Sequence, residues 1–165
     1  MKRKLIHGLD VLSRYVGVIS RWSGEIFLFA MVLLITVDVI GRATGNATMV
    51  ADELSRYMLV AIVFLGLAHT QQAARHIEVN LVTKLFSKKR QEQLALVAFI
   101  ISTAFVWWLF IATIQNPVHS FVRHTTSLSY IDVPMWIPHM LVPLGVGIFA
   151  IVMLIELIKR LSKSK

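Results

Sequence analysis

The side chains in this sequence that could do chemistry are its 6 histidines and 9 acidic residues, because the chain contains no cysteine. Histidines on neighbouring helices could ligate a haem or a metal, and a carboxylate inside an apolar helix could relay protons. The lack of cysteine excludes disulfides, thiolate metal sites and a cysteine nucleophile. The sequence also contains no HExxH pair, no phosphate-binding glycine loop and no nucleophile–base pattern. We therefore predict no enzyme activity, no cofactor and no metal site.

Four long apolar stretches must position any such residues. A helix needs roughly 20 predominantly apolar residues to cross the hydrocarbon of a bilayer, and we predict spans at 22–41, 54–72, 94–114 and 136–156. The composition agrees: 56% of residues are hydrophobic and 16% are charged, with a mean hydropathy of +0.70. About a quarter of the residues of a soluble domain are charged. We predict an all-α membrane protein with four transmembrane helices in a single domain over residues 1–165.

The depth of the polar residues in these spans argues against transport or redox chemistry within this chain. No charged residue falls in the middle of a span, where a proton or ion pathway would need one. His7 lies in the N-terminal tail, and no pair of histidines from different spans shares a depth inside the bilayer. The other five fall near span ends, at His69, His76, His119, His124 and His139. Neutral polar groups can also line a path. A stand-alone carrier and a membrane anchor of a redox enzyme therefore stay open.

The distribution of positive charge predicts the orientation of the chain. Of its 17 basic residues, only Arg42, Arg56 and Arg123 lie on the side opposite the termini. The positive-inside rule places both termini and the connection between the second and third spans in the cytoplasm. A cleavable signal peptide is the rival interpretation of the N-terminus, but the tail before the first apolar run is too long and too regularly patterned.

Two segments outside the spans have the pattern of interfacial helices. In residues 5–19, leucine, valine and isoleucine repeat in steps of four and three, and basic residues occupy another face. This pattern is typical of an amphipathic helix at the cytoplasmic membrane surface. A shorter apolar strip at 77–86, followed by further basic residues, predicts a second interfacial helix between spans two and three.

Several charged residues lie near the ends of the predicted spans. Oppositely charged residues one helical turn apart can pair on one helix face. Such sets are Arg21 with Glu25, Asp38 with Arg42, and Glu156 with Lys159 or Arg160. We interpret them as structural ion pairs. Acidic residues also open the second span, where the helix dipole favours them, but Arg56 lies one turn deeper and could reach a neighbouring helix or subunit.

The second span and its flanks carry a family resemblance. An acidic residue and an arginine open the span at Glu53 and Arg56, Phe-Leu-Gly follows at 64–66, and Arg75 precedes His-Ile-Glu-Val at 76–79. This order and spacing resemble the small membrane subunit of tripartite ATP-independent periplasmic (TRAP) transporters, the DctQ-like family. The fourth span is similar too, through Val-Pro-Met-Trp at 133–136 and Val-Pro-Leu-Gly at 142–145. One departure is Ala61, where many relatives carry a tryptophan.

The resemblance implies the function. In such systems a periplasmic protein captures an organic acid, and a large multi-span membrane subunit moves it inward by symport with sodium. The small subunit scaffolds the large one in the bacterial inner membrane. We accordingly predict a partner interface that includes Glu53, Arg56, Arg75, His76 and Trp136.

Overall fold

The computed structural model describes residues 2–46, 50–73, 88–127 and 132–163. These residues form four helices: α1 (Lys2–Ala43), α2 (Ala51–Ala73), α3 (Lys88–Val122) and α4 (Trp136–Lys163). The predicted all-α class is confirmed for this part of the chain. The predicted interfacial helix at 77–86 lies outside the described residues.

Three of the four helices are long and apolar enough to cross a membrane. These segments are Asp10–Ala43, Arg90–Val122 and Trp136–Ser162. The predicted second span falls within α2, which is not among them. Its 23 residues measure about 34 Å, which is long enough to cross, but its first turn is acidic and its last turns carry His69, Thr70, Gln71 and Gln72. The fourth crossing therefore stays a prediction.

Helix α1 joins two segments that the sequence indicated as separate elements. It runs unbroken through 42 residues and so contains both the predicted amphipathic helix at 5–19 and the predicted span at 22–41. Two local bonds stabilise the joint. The Ser23 hydroxyl donates to the Ile19 carbonyl at 2.9 Å, and the Arg21 guanidinium lies 2.7 Å from the Glu25 carboxylate. Whether residues 5–19 lie on a membrane surface stays a prediction.

The four helices pack in the order α1, α2, α4, α3. Helix α2 contacts α1 and α4 extensively, α3 packs on α4, and α1 touches α4 over a small area. Helix α4 is thus central, and 39% of the residues in its most apolar segment are buried, against 6% in α1 and 11% in α3. The core centres on Val106, Val146 and Ala150. The outer helices α1 and α3 therefore leave most of their apolar surface uncovered by this chain.

Small residues let α1 approach α2 closely. Ser13, Gly17 and Ser20 form a buried stripe at helical spacing on α1. The Ser20 hydroxyl donates to the Leu65 carbonyl, and the Gln72 side-chain amide donates to the Ser13 carbonyl. Close helix packing through small residues and interhelical hydrogen bonds is typical of membrane helices.

Glycines likewise let α4 approach its neighbouring helices closely. A Cβ at Gly145 would collide with the backbone of Phe64 on α2, and one at Gly147 would lie 2.8 Å from the Phe110 ring on α3. Near the start of α4, His139 Nδ1 and the Ser120 hydroxyl form a 2.7 Å hydrogen bond to α3. Helix α4 therefore packs closely against α2 on one side and α3 on the other.

Candidate partner interface

Glu53 lies in the first turn of α2, with its side chain turned toward α4. The Tyr57 hydroxyl donates to the Glu53 carboxylate at 2.5 Å and also lies 3.6 Å from the Met135 sulfur, just before α4. One carboxylate oxygen of Glu53 is buried. Glu53 is therefore engaged inside the chain, and Tyr57 links it to the segment just before α4.

Arg56 lies one turn after Glu53 on α2 and belongs to an exposed stripe. This stripe consists of Asp52, Arg56, Leu59, Val63 and Thr70, all of which are exposed. The side chains of Leu59 and Val63 are 53% and 51% exposed. No hydrogen bond or ion pair joins Arg56 to another described residue. An exposed arginine beside an apolar strip is suited to pair with a carboxylate on another chain.

Trp136 is the first residue of α4 and borders an apolar groove between α3 and α4. Its ring packs edge-on against Phe121 of α3, with the ring centres 5.9 Å apart. The groove has a volume of about 490 Å³ and is also lined by Val118, Met140 and Leu144. The structure thus places Trp136 at an open apolar surface, while Glu53 connects to the same end of α4 through Tyr57 and Met135.

Arg75 and His76 lie outside the described residues. The structure therefore places three of the five predicted interface residues, and only Glu53 and Trp136 are linked to each other, through their neighbours. Arg56 forms no hydrogen bond to these side chains and belongs to the exposed stripe on α2. The described part of the chain accordingly presents two separate candidate surfaces, the Arg56 stripe on α2 and the groove beside Trp136.

The predicted ion pairs are present, with one addition that sequence reasoning missed. Arg21–Glu25 and Asp38–Arg42 each close at 2.7 Å, and Arg160 lies 3.9 Å from Glu156.

Lys159 is the addition, because its buried ammonium lies 2.5 Å from the carboxylate of Asp10 on α1. Asp10 is the only acidic residue in the amphipathic segment 5–19, and this was the signal that could have indicated the contact. The sequence does not show which basic residue lies opposite it.

The described residues gather no group of three or more His, Cys, Asp or Glu side chains that could hold a metal ion. Their most prominent features are exposed apolar helices and a few ion pairs at helix ends. Such a surface is suited to lipid and to another membrane protein.

Fold and surface together define a multi-pass α-helical membrane protein built for packing. Over residues 31–163 the sequence matches the family described as "Tripartite ATP-independent periplasmic transporters, DctQ component". The chain belongs to this family, the small component of TRAP transporters. It is therefore a transporter component and not an enzyme, and the family gives no support to the redox-anchor alternative. No curated protein and no solved structure matches the chain.

Proposed function

We propose that this chain is the non-catalytic small permease subunit that scaffolds the large membrane subunit of a secondary transporter. The transporter would be driven by sodium, supplied by a periplasmic substrate-binding protein, and specific for organic acids that carry carboxylates. The proposed partners are the large multi-span subunit, the binding protein and the lipid bilayer of the bacterial inner membrane. Family membership supports the assignment; the scaffold role needs an argument from the surface.

The observation that carries the scaffold role is the uncovered surface of α1 and α3. In their most apolar segments only 6% and 11% of residues are buried within this chain. Large side chains such as Phe29 on α1 and Trp108 on α3 are 67% and 63% exposed. Lipid can cover part of this surface, but two open flanks also offer a second membrane protein extensive helix contacts. A scaffold subunit needs exposed helix faces of this kind to contact its partner, whereas a carrier needs an enclosed polar path for its substrate.

We propose four crossings with both termini in the cytoplasm and a single domain over residues 1–165. The excess of basic residues at both termini and in the middle connection supports this topology. The length of α2, about 34 Å, supports its assignment as a crossing at 54–72. Its close packing between α1 and α4 offsets its polar ends, because those neighbours shield much of its surface from lipid.

Among the predicted interface residues, Arg56 carries the most specific proposal. Its guanidinium is exposed and unpaired among the described residues, next to Leu59 and Val63. We propose that it pairs with an acidic residue of the large subunit, while Trp136 inserts or receives apolar side chains at the groove. Glu53 acts indirectly by holding Tyr57. Roles for Arg75 and His76 rest on the family resemblance.

A charge reversal tests the interface. Arg56→Glu is compared with Arg123→Glu, a second exposed arginine on the proposed outer side, in cells that produce the complete transporter. We expect Arg56→Glu to lower the yield of purified complex and the sodium-dependent uptake at least several-fold, because it replaces an attraction with a like-charge repulsion. Arg123→Glu should leave both near the wild-type level. Normal yield and uptake for Arg56→Glu would contradict the interface role.

A further inference from the structure

Contacts between the helices fix which residues lie at the same height along the bundle. On α1, Gly24 faces the Ile62 carbonyl of α2, at 4.0 Å from a Cβ built on the glycine. On α4, Gly145 lies against the backbone of Phe64, and Gly147 lies against the ring of Phe110 on α3. These contacts define a central level that passes through Gly24, Ile62, Gly145 and the residues near Phe110.

The central level cuts the four helices at very different points of their apolar segments. In α2 and α4 it passes near the middle of the predicted spans at 54–72 and 136–156. In α1 it passes beside the Arg21–Glu25 ion pair, whose side chains are 56% and 46% exposed. An exposed ion pair facing lipid in the middle of a bilayer is costly. The central level of the bundle therefore does not coincide with the bilayer midplane at α1.

On α3 the apolar segment is displaced from the central level in the direction opposite to that on α1. At the central level it approaches the exposed polar residues Gln115 and Asn116. Its apolar middle instead lies level with the charged end of α4, where the Arg160 guanidinium lies 4.5 Å from the centre of the Phe99 ring. The neighbouring Ile101 of α3 is 64% exposed. Exposed apolar side chains on α3 thus share a height with charges on α4.

The same mismatch occurs at the other end of α1. Because α1 and α2 are antiparallel, about seven residues from Gly24 toward the C-terminus of α1 correspond to the first turns of α2. The exposed side chains of Phe29, Val32 and Leu33 therefore lie near the height of exposed Arg56. A flat membrane perpendicular to the helices would put either this arginine or the Arg21–Glu25 pair deep in hydrocarbon.

We propose that the lipid-binding surface of this chain is an oblique apolar belt that crosses the four helices diagonally. The belt is centred nearest the proposed outer side on α1, passes through the middles of α2 and α4, and lies nearest the cytoplasmic side on α3. Only an array whose helices tilt steeply within the row brings all four apolar segments to one depth. This proposal concerns the bilayer as partner and stands independently of the transporter assignment.

The displacement sets the size of the tilt. Measured along α4, the middles of the spans on α1 and α3 are about 18 residues apart, which is about 27 Å at 1.5 Å per residue. In a straight row, three helix spacings of about 8–10 Å would separate these two helices; the direct contact of α1 with α4 shortens this distance and makes the tilt no smaller. The ratio of displacement to separation corresponds to a tilt of roughly 45°, slightly beyond the range of about 0–40° that membrane helices usually show.

The helix lengths agree with a steep tilt. Crossing about 30 Å of hydrocarbon at roughly 45° takes about 28 residues. Helix α4 has 28 residues, and α3 and α1 have 35 and 42. Helix α2, with 23 residues, is short for this path, a mismatch that a bilayer accommodates by thinning locally.

Spin labels on the cysteine-free chain test the belt. The full chain is reconstituted in lipid nanodiscs as single-cysteine variants, and the immersion depth of each label is measured from its collision rates with oxygen and a nickel chelate. One pair, Trp22→Cys and Ile114→Cys, lies close to the central level. A second pair, Val32→Cys and Phe105→Cys, lies at opposite ends of the bundle but at the middles of the predicted spans. All four side chains are exposed, at 59%, 38%, 52% and 57%.

The two pairs give opposite results for oblique and upright insertion. With the oblique belt, Val32 and Phe105 report the same depth near the midplane, and Trp22 and Ile114 lie about 20 Å apart in depth, near opposite headgroup layers. With upright helices, Trp22 and Ile114 report equal depth and Val32 and Phe105 separate by about 25 Å. Equal depth for the first pair, or separation of the second, overturns the proposal.

Discussion

A methyl group added at Gly145 should push α2 away from α4. This glycine is buried at a close contact between the two helices, and a Cβ there would overlap backbone atoms of Phe64. Backbone cannot rotate aside as a side-chain tip can, so Gly145→Ala requires α2 to shift as a unit. Gly66→Ala is the matched control, because this α2 glycine is also helical and its Cβ would meet no atom within 4 Å.

The two substitutions should change the free energy of unfolding in opposite directions. Overpacking a close contact costs about 1–3 kcal/mol, and because the obstacle is backbone we expect about 2–3 kcal/mol for Gly145→Ala. Gly66→Ala should gain up to about 1 kcal/mol from helix propensity. At about 2–4 °C per kcal/mol for a chain of this size, the midpoint of thermal unfolding should fall by about 4–12 °C for the first variant.

The assay follows the thermal unfolding of the purified chain in detergent by tryptophan fluorescence, with size-exclusion chromatography to confirm that both variants are monodisperse before heating. If Gly145→Ala proves as stable as Gly66→Ala, the close approach of α2 and α4 is refuted. The order of helices that places α4 at the centre then loses its main support.

Three further substitutions probe other contacts. Asp10→Asn should destabilise the chain by about 1–2 kcal/mol, because the buried Lys159 ammonium loses its ion pair. In a Lys159→Met background the same change should cost under about 0.5 kcal/mol, and equal costs in both backgrounds in a double-mutant cycle would exclude the pair. Ala61→Trp should cost about 3 kcal/mol or more by chemical denaturation, since Ala61 is fully buried; a stable variant would show that the site can expand. Ser120→Ala should cost about 1 kcal/mol by removing the hydrogen bond to His139, and an unchanged unfolding midpoint would show that the bond does not form.

Hydropathy and local charge patterns predicted the parts of the fold that depend on neighbouring residues in the chain. The apolar stretches gave the long helices, and four-residue spacing gave the Arg21–Glu25 and Asp38–Arg42 pairs, which the structure confirms. The continuity of the helix across residues 19–25 was harder to predict. A switch from an amphipathic to a fully apolar pattern indicates a change of environment, and the helix continues through that change without a break.

Contacts between residues on different helices could not be predicted from the sequence. The contacts of Tyr57 with both Glu53 and Met135 depend on how α2 meets the start of α4, which no local pattern specifies. The pairing of Asp10 with Lys159 joins residues near opposite ends of the chain. Ala61, which departs from the family pattern, lies in a fully buried position where this chain's own neighbours leave no space for a larger ring.

The most direct test of the scaffold role is purification of the tagged chain from membranes of cells that produce it at its natural level, followed by transport assays in liposomes. We predict that a large multi-span membrane subunit co-purifies in a fixed ratio, and that the complex takes up an organic acid when sodium and the periplasmic binding protein are supplied. The chain alone should give no flux. A chain that is stable by itself and retains no large membrane partner, or that transports substrate unaided, would contradict the account.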